Sequence, residues 1–213
     1  TIPGAIIFFD KNKPEERKDK VMMIYAAKEG WYREEANMNV LEPHDILRIS
    51  TILESWGDTA KAQEWITQQK QRLRNDIQEE LDFELSEIEN NYYEDIRRAS
   101  ERLSNAKKTV EEKLSNNKKP TAGELKNMDT AQKALDKLQN DKQVKITAAN
   151  EKADKKRNAI DEVEVELMNM FADADLRKRY FSIVDMDEIE ENEFNLNIPR
   201  YVGLYVIGDE ISC

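Results

Sequence analysis

The spacing of apolar positions divides the 213 residues into three stretches, 1–57, 58–178 and 179–213. In the first, two short apolar runs, GAIIFF (4–9) and KVMMIYA (20–26), flank the polar, proline-containing DKNKPEERKD. Unbroken runs of this length bounded by turn residues predict strands buried on both faces, here neighbours joined by an exposed loop. Two strands alone are marginal in water, so further strands are expected, either upstream of Thr1 or few and local. Pro43 suits the first turn of a helix whose apolar face is Ile46, Leu47, Ile49, Ile52 and Leu53, ending near Gly57. Trp31, Tyr32, Trp56 and Trp65 are expected to pack the core of this small base.

From Asp58 the period becomes helical. Leu73, Ile77, Leu81, Leu85, Ile88 and Tyr92, then Ile96, Ala99, Leu103, Ala106 and Val110, form one long apolar seam of coiled-coil type. SNNKKPTAG (115–123) interrupts it, and Thr121 with Glu124 has the capping-box spacing that opens a second helix. That helix carries Leu125, Met128, Leu135, Leu138, Ile146, Ala149, Ala153, Ile160, Val163, Leu167 and Met170. Matching seams on either side of one break predict an antiparallel hairpin, with arms of roughly 50 residues about 75 Å long. Charge agrees with this pairing. With the turn near Lys119, the acidic Glu79, Glu80, Asp82, Glu84, Glu87, Glu94 and Asp95 face the basic Lys142, Lys145, Lys152, Lys155, Lys156 and Arg157. Such opposition sets register more than it adds stability.

After the second helix the period is lost again. YFSIVD predicts a strand, MDEIEEN one or two helical turns, and GLYVIGD a possible last strand. Between them NEFNLNIPRYV (192–202) has no helical period and is expected to be extended. The fold class that emerges is mainly α, a long helical hairpin inserted in a small α/β base.

Composition narrows the chemistry. Charged residues are 36% of the chain and hydrophobic ones 39%, with few Gly or Pro, the balance of long helices with narrow seams. The single cysteine, Cys213, and single histidine, His44, exclude a disulfide framework and a His/Cys zinc site. A net charge of −11 argues against nucleic-acid binding by the overall field. No apolar run approaches the ~20 residues of a membrane helix, and no signal sequence is seen, which suggests a soluble, cytoplasmic protein of a reducing compartment. The start at Thr1 suggests a segment of a longer protein.

Read together with the hairpin removed, IPGAIIFFDKNKPEERKDKVMMIYA, NMNVLEPHDILRI and FSIVDMDEIEENEFNLNIPRYV resemble the C-terminal part of the modification subunit of type I restriction and modification systems. The resemblance covers about the first 60 and last 35 residues. It implies a parent that is an adenine-N6 DNA methyltransferase using S-adenosylmethionine, with the opening strands completing a Rossmann-like sheet. It also implies a helical arm that meets the DNA-specificity subunit, and a complex that includes the restriction subunit and DNA. The family's Gly-rich cofactor turn and its Asn-Pro-Pro-(Tyr/Phe) motif are absent from this sequence, so no catalytic, cofactor or metal residue is assigned and the chain alone should be inactive. After Val202 the tail GLYVIGDEISC is apolar where the family usually runs into acidic residues. The other reading of the whole chain is a structural coiled-coil spacer or clamp with no methyltransferase connection.

The candidate interface residues are Asn195, Asn197, Pro199, Arg200 and Tyr201, with Asn37 and Asn39 of NMNVL. Arg200 and its asparagines either contact another part of the assembly or shape an irregular loop. Asn37 and Asn39 are expected to satisfy loop backbone, and His44, at a helix start, to be solvated or capping. Lys118 and Lys119, with Lys107, Lys108, Lys113 and Lys126 nearby, make the hairpin tip basic; they either touch phosphate or form a solvated tip.

Overall fold

In the computed structural model the described residues are 6–27, 31–36 and 38–203. The chain forms two compact units, Thr1–Arg74 with Lys156–Cys213, and Asn75–Lys155.

The first unit holds the only strands longer than two residues among those described. β1 (Lys20–Ile24) pairs antiparallel with β4 (Phe181–Asp185), in a register that sets Val21 against Val184 and Ile24 against Phe181. The amide of Tyr25 donates to the carbonyl of Tyr180 at 2.9 Å and that of Met186 to Asp19 at 2.8 Å, so pairing continues past both ends. Between the two strands in sequence lie a minimal β2 (Arg33–Glu34) and β3 (Asn39–Val40) pair, then α1 (Pro43–Ser55). The long α2 (Thr59–Ser115) and α3 (Ala122–Ala172) follow, with a short α4 (Ala174–Arg177) before β4.

A two-stranded sheet needs cover on both faces, and period 2 allots its side chains accordingly. Met23 and Val184 pack against Ile189 of α5 (Met186–Glu191) and against Tyr201 and Val202 at the end of α6 (Ile198–Tyr201). On the opposite face Phe181 meets Phe171 of α3, ring centroids 5.9 Å apart. In the base-proximal turns of the long helices Ala62, Ile66, Ile160, Val163, Leu167 and Met170 are buried, and full burial of each large aliphatic contributes about 1.5–3 kcal/mol. Trp31 stacks on Tyr180 at 5.4 Å and is core, as its sequence setting predicts, whereas Trp65 is half-buried, its indole donating to Ser50 at 3.2 Å.

α1 begins at Pro43 and ends in a left-handed Trp56 and Gly57, as expected from the sequence. Its buried face is Asp45, Leu47, Thr51, Ile52 and Ser55, whereas Ile46 is exposed. A carboxylate is therefore buried where an apolar residue was expected. Asp45 accepts from the Glu42 amide at 2.8 Å and from Arg48 Nη1 at 2.8 Å, and Arg48 Nε donates to Glu166 at 2.8 Å. Deep burial of a charge survives only when it is paired and hydrogen-bonded in this way.

The structure corrects three expectations here. Ile6–Phe9 is not in a strand, and its four side chains are 61% to 90% exposed; residues 4 and 5 lie outside the described residues. The neighbour of β1 is β4, not the opening run, because the backbone of that run meets no partner strand among the described residues. NLNIPRYV is not extended throughout: Ile198–Tyr201 forms a helical turn, started by the fixed φ of Pro199. The predicted strand GLYVIGD lies outside the described residues apart from Gly203.

The second unit is built from α2 and α3 residues and the connection between them. Ile77, Leu81, Ile88, Leu103 and Val110 are buried on α2, and Leu135, Ala149 and Ala153 on α3. Leu125, expected in the seam, is 45% exposed, since it sits in the first turn of α3 where the helix has just begun. Lys142 pairs with Glu89, and Lys152 pairs with Glu84 at 3.2 Å and Glu80 at 3.7 Å, while the Lys145 ammonium lies 5.2 Å above the Tyr92 ring. Acidic α2 residues thus meet basic α3 residues, the opposition read from the sequence.

Candidate functional site

The segment Asn192–Val202 is where sequence-predicted site residues gather. α5 ends in a Schellman turn: the Phe194 amide donates to Ile189 at 2.8 Å and the Glu193 amide to Glu190 at 2.9 Å. Such turns normally place Gly in the left-handed position. Here Glu193 and Phe194 both have φ of 56°, each at a cost of about 1–2 kcal/mol. Four hydrogen bonds hold the strained turn. Tyr201 Oη donates to the Asn195 carbonyl at 2.5 Å, the Asn197 amide to Asn195 Oδ1 at 2.9 Å, Arg200 Nη1 to Asn192 Oδ1 at 3.0 Å, and the Arg200 amide to the Asn197 carbonyl at 2.9 Å.

The predicted residues therefore divide by role. Tyr201 is buried in the core below the sheet, and its ring anchors the loop while its hydroxyl closes it. Asn195 and Arg200 are loop-shaping, and Asn197 and Pro199 start the helical turn; all four remain exposed. Asn39 lies in β3, opposite Glu34, away in sequence and in a different sheet. Asn37 lies outside the described residues. His44 is not the helix cap: it is half-buried, its Nε2 lies 3.4 Å from Asp45 Oδ1, and the capping residue is Glu42, its amide held by the Asp45 carboxylate.

Sequence reasoning missed Phe194 and Leu196, which are 62% and 51% exposed on this loop. Their apolar character was visible, but periodicity has nothing to say about a residue held left-handed by neighbours. It missed the Lys70–Asp161–Glu164–Arg74 cluster for a similar reason. Lys70 Nζ lies 2.7 Å from Asp161 and 2.5 Å from Glu164, and Arg74 Nη2 is 2.6 Å from Asp161. The hydrogen bond to Asp161, then that to Glu164, raises the Lys70 ammonium above its ordinary range. Lys70, and after it Arg74, holds the Asp161 carboxyl low against the opposing pull of burial.

Lys118 and Lys119 lie in the exposed connection between α2 and α3. The Lys118 amide bonds to the Lys113 carbonyl at 2.8 Å, completing a second Schellman turn with Asn117 left-handed. On the far side the predicted capping box is present: the Thr121 amide donates to Glu124 at 2.8 Å and the Glu124 amide to Thr121 Oγ1 at 3.3 Å. Lys113, 2.6 Å from Glu124, and then the Thr121 hydrogen bonds lower that carboxyl to about 2.

The residues match the family described as N-6 DNA Methylase over 1–101 and 126–209. The chain belongs to the N-6 DNA methylase family. A relative in Methanocaldococcus jannaschii, the type I restriction enzyme MjaVII methylase subunit, is 39% identical over 59 residues, 27% of this chain and 10% of that protein. The chain thus spans about a tenth of the length of the curated relative it matches. No solved structure matches it. The region is related to the modification subunit of type I enzymes, which supplies the methyltransferase connection that a plain coiled-coil spacer lacks. Residues 102–125, with Lys118 and Lys119, fall outside the match.

N-6 methylase membership raises the question of S-adenosylmethionine, and the described residues do not fit it. A cofactor cradle needs glycines that let backbone approach the ligand. The described glycines are Gly57, Gly123 and Gly203, and Gly57, the one with positive φ, is already covered: a Cβ there would lie 3.4 Å from Ile183 and 3.6 Å from Phe181. The open depression of about 310 Å³ beside Tyr93 and Ile96 is rimmed by Glu89, Arg97, Glu101 and Lys142, whose charges pair with one another or with Glu94.

Proposed function

We propose that this chain is the C-terminal region of the modification subunit of a type I restriction and modification system, and that its long helices form an arm that docks on the DNA-specificity subunit. The observation that carries the reading is the family match, which takes in both flanks of the arm and most of the arm itself. The parent would methylate adenine N6 with S-adenosylmethionine bound by residues outside this chain, and the restriction subunit and DNA would join through the complex. Such an enzyme works in the cytoplasm. In this reading 1–57 ends the methyltransferase domain, 58–178 is the arm and 179–213 the return segment.

An antiparallel arrangement of the arm is supported by Lys113 with Glu124, Tyr92 with Lys145 and Glu84 with Lys152, in which α2 numbers fall as α3 numbers rise. Completion of a Rossmann-like sheet is supported by the β1–β4 pair, a two-stranded sheet that is marginal without further strands. Asn39, Asn195, Asn197, Pro199 and Arg200, with Asn37, would face other parts of the assembly, the buried Tyr201 anchoring their loop, and Lys118 and Lys119 would lie at the arm's end, open to DNA phosphate.

The test is co-purification with the specificity subunit, comparing the intact chain with one whose residues 75–155 are replaced by a short linker. Loss of binding with the arm is expected. Retention at full strength would move the contact to the base and overturn the docking role.

A further inference from the structure

Phe194 and Leu196 stand in solvent on a loop whose shape is fixed from beneath by Tyr201 and from the side by Arg200. Around them Asp185, Asp187, Glu188, Glu190, Glu191 and Glu193 are all exposed, and none has an ion-pair partner among the described residues. Within residues 185–200 this charge is not balanced. Lys20 lies across from Asp185 in the sheet register without pairing with it, and Arg200 is the one guanidinium between residues 185 and 200, against six carboxylates. α5 is only about 9 Å long at 1.5 Å per residue. That is close to the Debye length of about 8 Å at physiological salt, so the four carboxylates of α5 act on one ligand together, with Asp185 and Glu193 just beyond its ends.

We propose that Phe194 and Leu196 are the apolar anchors of a docking surface for a cationic amphipathic helix of a partner protein. The two chemistries the surface asks for, an apolar stripe to receive the anchors and Lys or Arg along its borders, occur side by side on such a helix. Nucleic acid is the wrong ligand for it, since phosphate would meet six carboxylates. A rigid loop loses little conformational entropy on binding, which suits exposed aromatic anchors. The surface is separate from α2 and α3, so it stands or falls independently of the arm's role.

The test uses the full chain and an 18-residue helical peptide with a leucine stripe bordered by lysines, its binding followed by fluorescence anisotropy. Phe194→Ser with Leu196→Ser should weaken binding by about tenfold or more. Glu188→Lys with Glu191→Lys should weaken it at least as much, and more at low salt than at high. The second pair guards against misfolding of the first, because Glu188 and Glu191 side chains touch no partner. Phe83→Ser, which removes another exposed aromatic from an acidic stretch on α2, should leave affinity unchanged. Equal affinity for wild type and both loop variants, or an equal loss with Phe83→Ser, overturns the proposal, as does binding of a DNA duplex in place of the peptide.

Discussion

At the scale of single residues, the chain departs from its own pattern at Asp45 and at Glu193–Phe194. Asp45 is 1% exposed on a helix face that sequence alone would give to Ile46, because Arg48 and the Glu42 amide satisfy it and Arg48 reaches on to Glu166. Asp45→Asn keeps the shape but removes the charge that Arg48 was desolvated to meet. The expected loss is about 2–4 kcal/mol, read as a lower urea midpoint with an unchanged slope. A midpoint equal to that of the wild type would mean that Glu166 alone suffices for Arg48. Glu193 and Phe194 were legible as residue types but not as conformers. Their left-handed geometry is imposed by the end of α5 and by Tyr201, which is distant from α5 in the loop but packed beneath it.

At the scale of elements, the local signals were sufficient for the helices. Pro43, the Thr121–Glu124 box and the apolar seams gave the starts of α1 and α3 and the break between the long helices, because caps and periodicity act within a few residues. The capping box also carries a pH dependence. The Glu124 carboxyl is ordinarily near 4.5 and is held at about 2 when folded, so its contribution is complete above pH 4.5 and is lost as pH falls toward 2. The amide resonances of Thr121 and Glu124 should shift and broaden over that acid range in the wild type and stay flat in Glu124→Gln. A flat profile in both would show that Lys113 and Thr121 do not hold the carboxylate. The strands were less legible: β1 and β4 were found, but an apolar run such as Ile6–Phe9 has the same pattern whether or not another strand lies beside it.

At the scale of the whole molecule, the proposed reading of the chain as one region of an N-6 DNA methylase, with Gly57 already covered by Ile183 and Phe181, leads to one expectation. The isolated chain should transfer no methyl group from S-adenosylmethionine to adenine in a DNA duplex, and should show no calorimetric signal with the cofactor. Methyl transfer by this chain alone would refute the assignment of catalysis to residues outside it.

The sequence by itself determined the long helices, their break and caps, the acidic character and the family resemblance, since each is written in residues close together or in motifs kept whole. Only tertiary structure decided that β1 pairs with β4, that NEFNLNIPRYV folds into a clamped turn and that Asp45 is buried with Arg48. The physical reason is common to all three. The strand pair and the Arg48–Glu166 link join groups far apart in the chain, the Tyr201 clamp closes over six residues that have no helical period, and each becomes favourable only when tertiary packing has brought its groups within hydrogen-bonding reach.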